Sequence, residues 1–187
     1  MPAPPNLVWG SVAVWGVALL VALWAGWLDL RFRRIPNWLT VSGFALGLAL
    51  NAGLSGWEGL RSGLEGAGIG LGVLLIPVIM RGIGAGDLKL MGSLGAILGP
   101  WKLVDVLFVS IMIAGIMAVI EIVRKRRVKE TLSNLGVLVR AFATFGLGAR
   151  EGIVTLDNPA SLRLPFGVAT AVAMVIVAFA KSSLLTF

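Results

Sequence analysis

Two aspartates in this chain stand where an ionised side chain is expensive. Asp29 closes the first long apolar run, in Asp29-Leu30-Arg31-Phe32-Arg33-Arg34-Ile35-Pro36-Asn37. Asp87 opens the fourth, in Gly82-Ile83-Gly84-Ala85-Gly86-Asp87-Leu88-Lys89-Leu90. A carboxylate at the centre of a membrane helix costs about 2.5–3.5 kcal/mol, and less toward the interface, so such a residue usually has a partner or a task. Singly, each has an ordinary explanation. Asp29 can pair with Arg33, and Asp87 can sit in the first turn of a helix, where the dipole favours negative charge. As a pair they can do chemistry. Two carboxylates in one low-dielectric site do not both ionise readily. One keeps its proton, the other acts as a base, and a water between them becomes a nucleophile toward a peptide carbonyl. Gly84 and Gly86 carry no side chain, so an extended substrate backbone can approach Asp87 closely. The same glycines predict a mobile loop, and hence a loose pairing of the two carboxylates at rest.

The residues the chain lacks narrow the chemistry further. It has no Cys and no His. That excludes zinc held by Cys or His, cysteine nucleophiles and any Ser-His-Asp triad. Two carboxylates need none of these, so no metal and no cofactor is expected. A Ser-Lys dyad is another possibility, because Lys89 and Ser93 fall four apart on one helix face. The plainer reading has Lys89 reaching to the interface and Ser93 serving helix packing.

These side chains must be positioned in lipid. Of the 187 residues 58% are hydrophobic and only 13% charged, against roughly 25% charged in an ordinary soluble domain. With a mean hydropathy of +0.96, too little polar surface remains to cover a water-soluble globule. The 25 glycines suit membrane helices, whose backbones approach closely through small residues. Residues 1–187 read as one all-α integral-membrane domain. Apolar segments are predicted at about Leu7–Leu28, Trp38–Gly53, Leu64–Met80, Leu88–Gly99, Leu103–Val123 and Pro165–Ala180, about six transmembrane helices. The fourth offers only about 18 Å of helix against a hydrocarbon core of about 30 Å. Its preceding glycine-rich loop would then lie at membrane depth, lining a cavity. The first run does not resemble a signal peptide: Met1 to Asn6 contains no Lys or Arg, and the run is long for one. No internal repeat is visible.

The net charge of +7 does not point to nucleic acid, because the basic residues lie between apolar runs. Arg31, Arg33, Arg34, Arg81, Lys89, the run from Arg124 to Lys129, Arg140, Arg150 and Arg163 all fall on one side of a six-helix topology. Only Arg61, Lys102 and Lys181 fall opposite. By the positive-inside rule the first side is cytoplasmic and both termini are outside. Asp29 and Asp87 then share the cytoplasmic boundary. Between Glu130 and Leu164, the spacing of Leu132, Leu135, Val139, Phe142 and Phe145 predicts an amphipathic helix on the membrane surface. The other acidic residues, Glu58, Glu65, Asp105, Glu121, Glu130, Glu151 and Asp157, read as solvated or paired interfacial charges.

At its two aspartates the sequence resembles the type IV prepilin peptidases, the bacterial Gly-x-Gly-Asp aspartic peptidases. It looks most like the short forms serving tight-adherence (Flp-type) pili. Asp29 to Asn37 is similar to the first-aspartate motif, Gly84 to Leu90 to the second, and Leu164-Pro165-Phe166-Gly167-Val168 to the string that opens the last helix. The resemblance implies a membrane aspartic endopeptidase with Asp29 and Asp87 as catalytic pair. Its partners would be the lipid bilayer of the bacterial inner membrane and a prepilin or pilin-like substrate, whose short basic leader is cut off in the cytoplasm. Gly84, Gly86, Asn37, Lys89 and Pro165 enter as candidate substrate-binding positions through the same strings. Arg31, Arg33 and Arg34 could meet an acidic substrate residue beyond the cut; otherwise they anchor the cytoplasmic face. Longer family members carry a Cys-bearing zinc domain and N-methylate the new pilin end. With no Cys and a first helix beginning by about residue 7, peptidase activity alone is expected here. Two further readings remain, a proton- or ion-coupled transporter with Asp29 and Asp87 as relay groups, and a structural assembly factor indifferent to both.

Overall fold

The structure is a computed structural model that describes residues 5–79, 83–124 and 165–184. The described residues form five helices: α1 (Pro5–Phe32), α2 (Asn37–Ile79), α3 (Ala85–Leu98), α4 (Pro100–Arg124) and α5 (Phe166–Leu184). No strand occurs among the described residues. Without water to satisfy exposed peptide groups, a helix that bonds its own backbone is the conformation lipid permits.

A straight α2 of 43 residues would be about 64 Å long, twice the thickness of a bilayer core. It is not straight. Gly56 breaks it with φ 60° and ψ −136°, a conformation open to glycine and closed to most side chains. The two halves fold back on each other across α3. Gly43 lies beside Ser93 and Gly47 beside Ile97, so the first half runs parallel to α3. Gly63 lies against Ala96, Gly66 against Gly95 and Gly70 against Met91, so the second half runs antiparallel. At Gly66 and Gly95 the backbones touch, and a methyl group on either glycine would collide with the carbonyl oxygen of the other. Close backbone approach of this kind supplies dispersion contact where lipid gives helices no hydrophobic reason to associate.

Short α3 is therefore the central strut, enclosed from Leu90 to Leu98. It starts at the end of the bundle that holds Asp29 and stops short of the other. Its last carbonyls lie inside protein and need donors. Asn51 supplies them: its Nδ2 is 2.9 Å from both Ala96 O and Ile97 O. Gly99, with φ 75°, then turns the chain into α4. At this far end Lys181 of α5 bonds Asp105 of α4 at 2.7 Å. The pair sets α4 and α5 antiparallel. The lipid-facing surface is broad and apolar, including Leu20, Phe108, Ile116 and Phe179.

The helical class agrees with the expectation from composition, but a count of about six membrane-spanning helices is not supported. Among the described residues three helices are long and apolar enough to cross: Gly10–Phe32, Asn37–Ile79 and Pro100–Arg124. Two of the predicted segments are one helical stretch bent at Gly56. The predicted Leu88–Gly99 segment is an enclosed 14-residue helix, and the last apolar helix, Phe166–Lys181, is short. Hydropathy measures the length of apolar runs, and it does not distinguish a helix in lipid from one enclosed by other helices. The amphipathic helix expected between Leu132 and Phe145 lies outside the described residues.

The seam between α2 and α3 yields a paired test. Gly66→Leu should lower thermal stability in detergent by at least about 1–3 kcal/mol through overpacking. Gly68, whose added methyl would meet nothing within 4 Å, should accept alanine without loss. Equal melting of the two variants would contradict the close backbone contact.

Candidate active site

Asp29 lies in the last full turn of α1, on the face turned into the bundle, and is 7% exposed. The helix ends because Arg33 takes φ 53° and returns its N–H to Asp29 O at 2.9 Å. This is a left-handed helix cap made without glycine. Arg34, Ile35 and Pro36 follow without regular structure, and α2 starts at Asn37. Pro36 cannot continue a helix, and it biases the residue before it away from helical angles.

What holds the Asp29 side chain comes from far along the chain. The N–H of Gly167, 138 positions later, donates to Asp29 Oδ2 at 2.9 Å. Val168 N–H also interacts with this carboxylate. Both belong to the first turn of α5, which Pro165 opens by accepting the N–H groups of Val168 and Ala169 at 3.1 and 3.3 Å. A carboxylate at a helix N-terminus answers orphan donors and the positive end of the dipole together. Glycine at position 167 leaves room for this arrangement. An added methyl there would lie 3.0 Å from Asp29 Cβ and Oδ2, and 3.2 Å from Ile35 Cδ1.

Asp87 is half-buried in the first turn of α3. Gly84 is the N-cap, with φ −73° and ψ 144°, and its carbonyl accepts the Asp87 N–H at 3.1 Å. The Asp87 carboxylate reaches back to the Gly84 backbone, as the third residue of a capping box does. Both carboxylates thus face helix N-termini at the same end of the bundle, within range of each other's charge. They do not hydrogen-bond to one another.

The remaining candidates fall into two groups. Asn37 and Lys89 are brought together, with Lys89 Nζ donating to Asn37 Oδ1 at 2.9 Å, which ties the first turn of α2 to the second turn of α3 near Asp87. Pro165 is placed through its helix start beside Asp29. Gly84 and Gly86 flank the approach to Asp87, but Gly86 faces protein: an added methyl there would lie 3.3 Å from Ile35 Cβ. Arg31, Arg33 and Arg34 are exposed at this end. The Arg31 guanidinium lies 5.9 Å from the Trp27 and Phe32 ring centroids, in a cation–π arrangement suited to the interface. Ser93 does not join them. Its hydroxyl is fully buried and has no hydrogen-bond partner, and Lys89 is engaged with Asn37. A Ser-Lys dyad is not assembled. No group of three ligating side chains suited to a metal ion occurs among the described residues.

With Asp29 and Asp87 at one end of a helical membrane bundle, the comparison with known proteins has a structural counterpart. The family model for the type IV leader peptidase family matches residues 16–119, more than half of the chain. The chain belongs to this family. The match spans α1 to most of α4 and includes both aspartates. Membership implies a peptidase, of the aspartic type in this family, processing pilin substrates in a membrane. Nothing in the comparisons supports a transporter. No curated protein and no solved structure matches the chain.

Gly167 and Asn51 carry structural tasks that sequence reasoning missed. Gly167 stands in a string noticed for its resemblance, yet its partner is too distant in sequence for its task to be read there. A polar Asn51 inside an apolar run was the available signal for a buried helix end.

Ser93→Ala should leave stability unchanged or raise it by about 1 kcal/mol, because it removes an unpartnered buried hydroxyl. A marked fall in melting temperature would show that the hydroxyl is bonded. Gly167→Ala should keep the bundle folded but disturb the Asp29 carboxylate, reducing leader cleavage by about 10-fold or more. Unchanged cleavage would show that Gly167 does not set the position of Asp29.

Proposed function

We propose that this chain is a membrane aspartic endopeptidase that removes the short cytoplasmic leader of a pilin-like precursor, with Asp29 and Asp87 as its catalytic pair. The observation that carries the reading is the arrangement of these two carboxylates. Both are withdrawn from bulk water, at one end of the bundle, within charge range, and each is oriented by the start of a different helix. In this mechanism a water sits between them. The ionised carboxylate takes a proton from the water as its oxygen adds to the scissile carbonyl carbon, and the protonated carboxyl donates to the carbonyl oxygen. Collapse of the tetrahedral intermediate breaks the C–N bond. The leaving amine takes a proton from the carboxyl that acted as base, and the other carboxyl regains its own.

Arg31, Arg33, Arg34 and Lys89 surround this end, against Arg61, Lys102 and Lys181 elsewhere. That imbalance supports a cytoplasmic active site in the bacterial inner membrane, with the substrate's leader approaching from the cytoplasm and its apolar helix lying in the bilayer. The three arginines suit an acidic residue just after the cut. A substrate of the tight-adherence (Flp) type, and cleavage without N-methylation, complete the reading.

Co-expression with a Flp-type prepilin, in a host lacking its own processing enzyme, tests it by the gel shift of the pilin. Wild type and Ser93→Ala should cut. Asp29→Asn and Asp87→Asn should each lose cleavage by roughly 10²–10⁴-fold. Cleavage at the wild-type rate by either asparagine variant would refute the two-carboxylate mechanism and favour an assembly role.

A further inference from the structure

Helix α5 packs chiefly against α1 and α4 and hardly at all against α3. Yet α3 carries Asp87, and α5 carries the N–H groups that hold Asp29. Something must set the distance between these two helix starts, and one side chain lies between them. Ile35, in the short connector from α1 to α2, presents its Cβ to Gly86 and its Cδ1 to Gly167. A methyl group added at Gly86 would lie 3.3 Å from Ile35 Cβ, and one added at Gly167 would lie 3.2 Å from Ile35 Cδ1. Both glycines are bare where Ile35 meets them, so the contact is side chain against backbone and leaves little slack.

The connector that carries Ile35 is itself pinned. Arg33 N–H bonds Asp29 O at one end, and Asn37 Oδ1 accepts Lys89 Nζ at the other. Ile35 packs against the hydrophobic core from a partly buried position. A β-branched side chain has few rotamers, which suits a fixed spacer.

We propose that Ile35 is a positioning residue that sets the separation of the Asp29 and Asp87 carboxylates by wedging the first turn of α3 from the first turn of α5. The inference rests on the two-carboxylate reading above. It predicts that shortening this side chain lets the two helix starts close together, and that the cost falls on the chemical step. Reacting groups misplaced by about 1 Å can lose about 100-fold in rate. The coupling between two carboxylates that share a proton depends on their separation, so the limbs of the pH–rate profile move with it. Arg33 and Lys89 are charged groups at the same end, and the substitution retains both.

The test uses the full-length chain purified in detergent and a synthetic peptide spanning a Flp-type leader and the start of its apolar helix. Ile35→Val, which removes Cδ1, and Ile35→Ala are compared with wild type, with Asp29→Asn and with the lipid-facing control Ile79→Ala. The expected result is a graded fall in kcat, small for Ile35→Val and approaching about 100-fold for Ile35→Ala. KM should stay within about two-fold and at least one limb of the pH profile should shift. Ile79→Ala should match wild type. If Ile35→Ala does not fold, Ile35→Val carries the same readings. A rise in KM with kcat and pH limbs unchanged would make Ile35 a substrate contact and overturn the proposal. So would a loss of kcat with unmoved limbs, which only reports less folded enzyme. Failure of wild type to cut, or full activity in Asp29→Asn, would instead sink the peptidase mechanism, so the two failures are distinguishable.

Discussion

A helix end shielded from water in a membrane must find its hydrogen-bond partners in the chain, and among the described residues three helix ends do so. Each is answered by one polar side chain. Asn51 faces the last carbonyls of α3, Asp87 the first turn of the same helix, and Asp29 the first turn of α5. Leaving such groups unpaired in hydrocarbon costs several kcal/mol each. These three polar residues are thus explained by helix termini before any chemistry is invoked, while the buried hydroxyls of Thr40, Ser110 and Thr170 bond carbonyls of the preceding turn of their own helices. Ser93 is the buried side chain that fits no such scheme among the described residues, and it lies away from the aspartates, under Gly43.

On the proposed mechanism, this arrangement gives the two aspartates a double character. The capping role suggested for Asp87 by its sequence context is real, and it does not compete with a catalytic one. A carboxylate has two oxygens with roughly four acceptor sites. Asp29 uses Oδ2 for Gly167 N–H. A cap fixes the rotamer of a side chain that would otherwise wander, and a fixed acid beside a fixed base is what proton transfer to a peptide carbonyl requires. The helix that bears Asp87 is held equally firmly. Its other faces are locked by the halves of α2, where Gly66 and Gly95 let backbones touch.

Much of this was legible in the sequence, and the limits have physical causes. Membrane residence followed from composition, and the helical class from what lipid permits. Asp29 and Asp87 stood out because charge near hydrocarbon needs a reason. Their shared end of the bundle was expected from the alternation of apolar segments, and counting Lys and Arg assigned that end to the cytoplasm. Segment counting failed at α2 because residues 54–63 are less apolar than their flanks yet still helical apart from Gly56, and at α3 because a short helix wrapped in other helices need not match the bilayer. Gly167, Ile35 and Asn51 gained their meaning from partners that only the fold brings near.

The glycines around Asp87 show the same limit from the other side. Glycine in a loop suggests freedom, and Gly84 and Gly86 suggested a loop loose enough to admit a substrate backbone. In the folded chain Gly84 is a helix N-cap, an ordinary role with an ordinary extended φ. Gly86 is helical, and a methyl group added there would press on Ile35 Cβ at 3.3 Å. The same residue type therefore serves order. A Gly-x-Gly-Asp string can mark the place where two segments must pack with no room to spare, so that the carboxylate after it is aimed by a rigid helix start. Access for a substrate must then come from a face that Ile35 and Gly167 leave open.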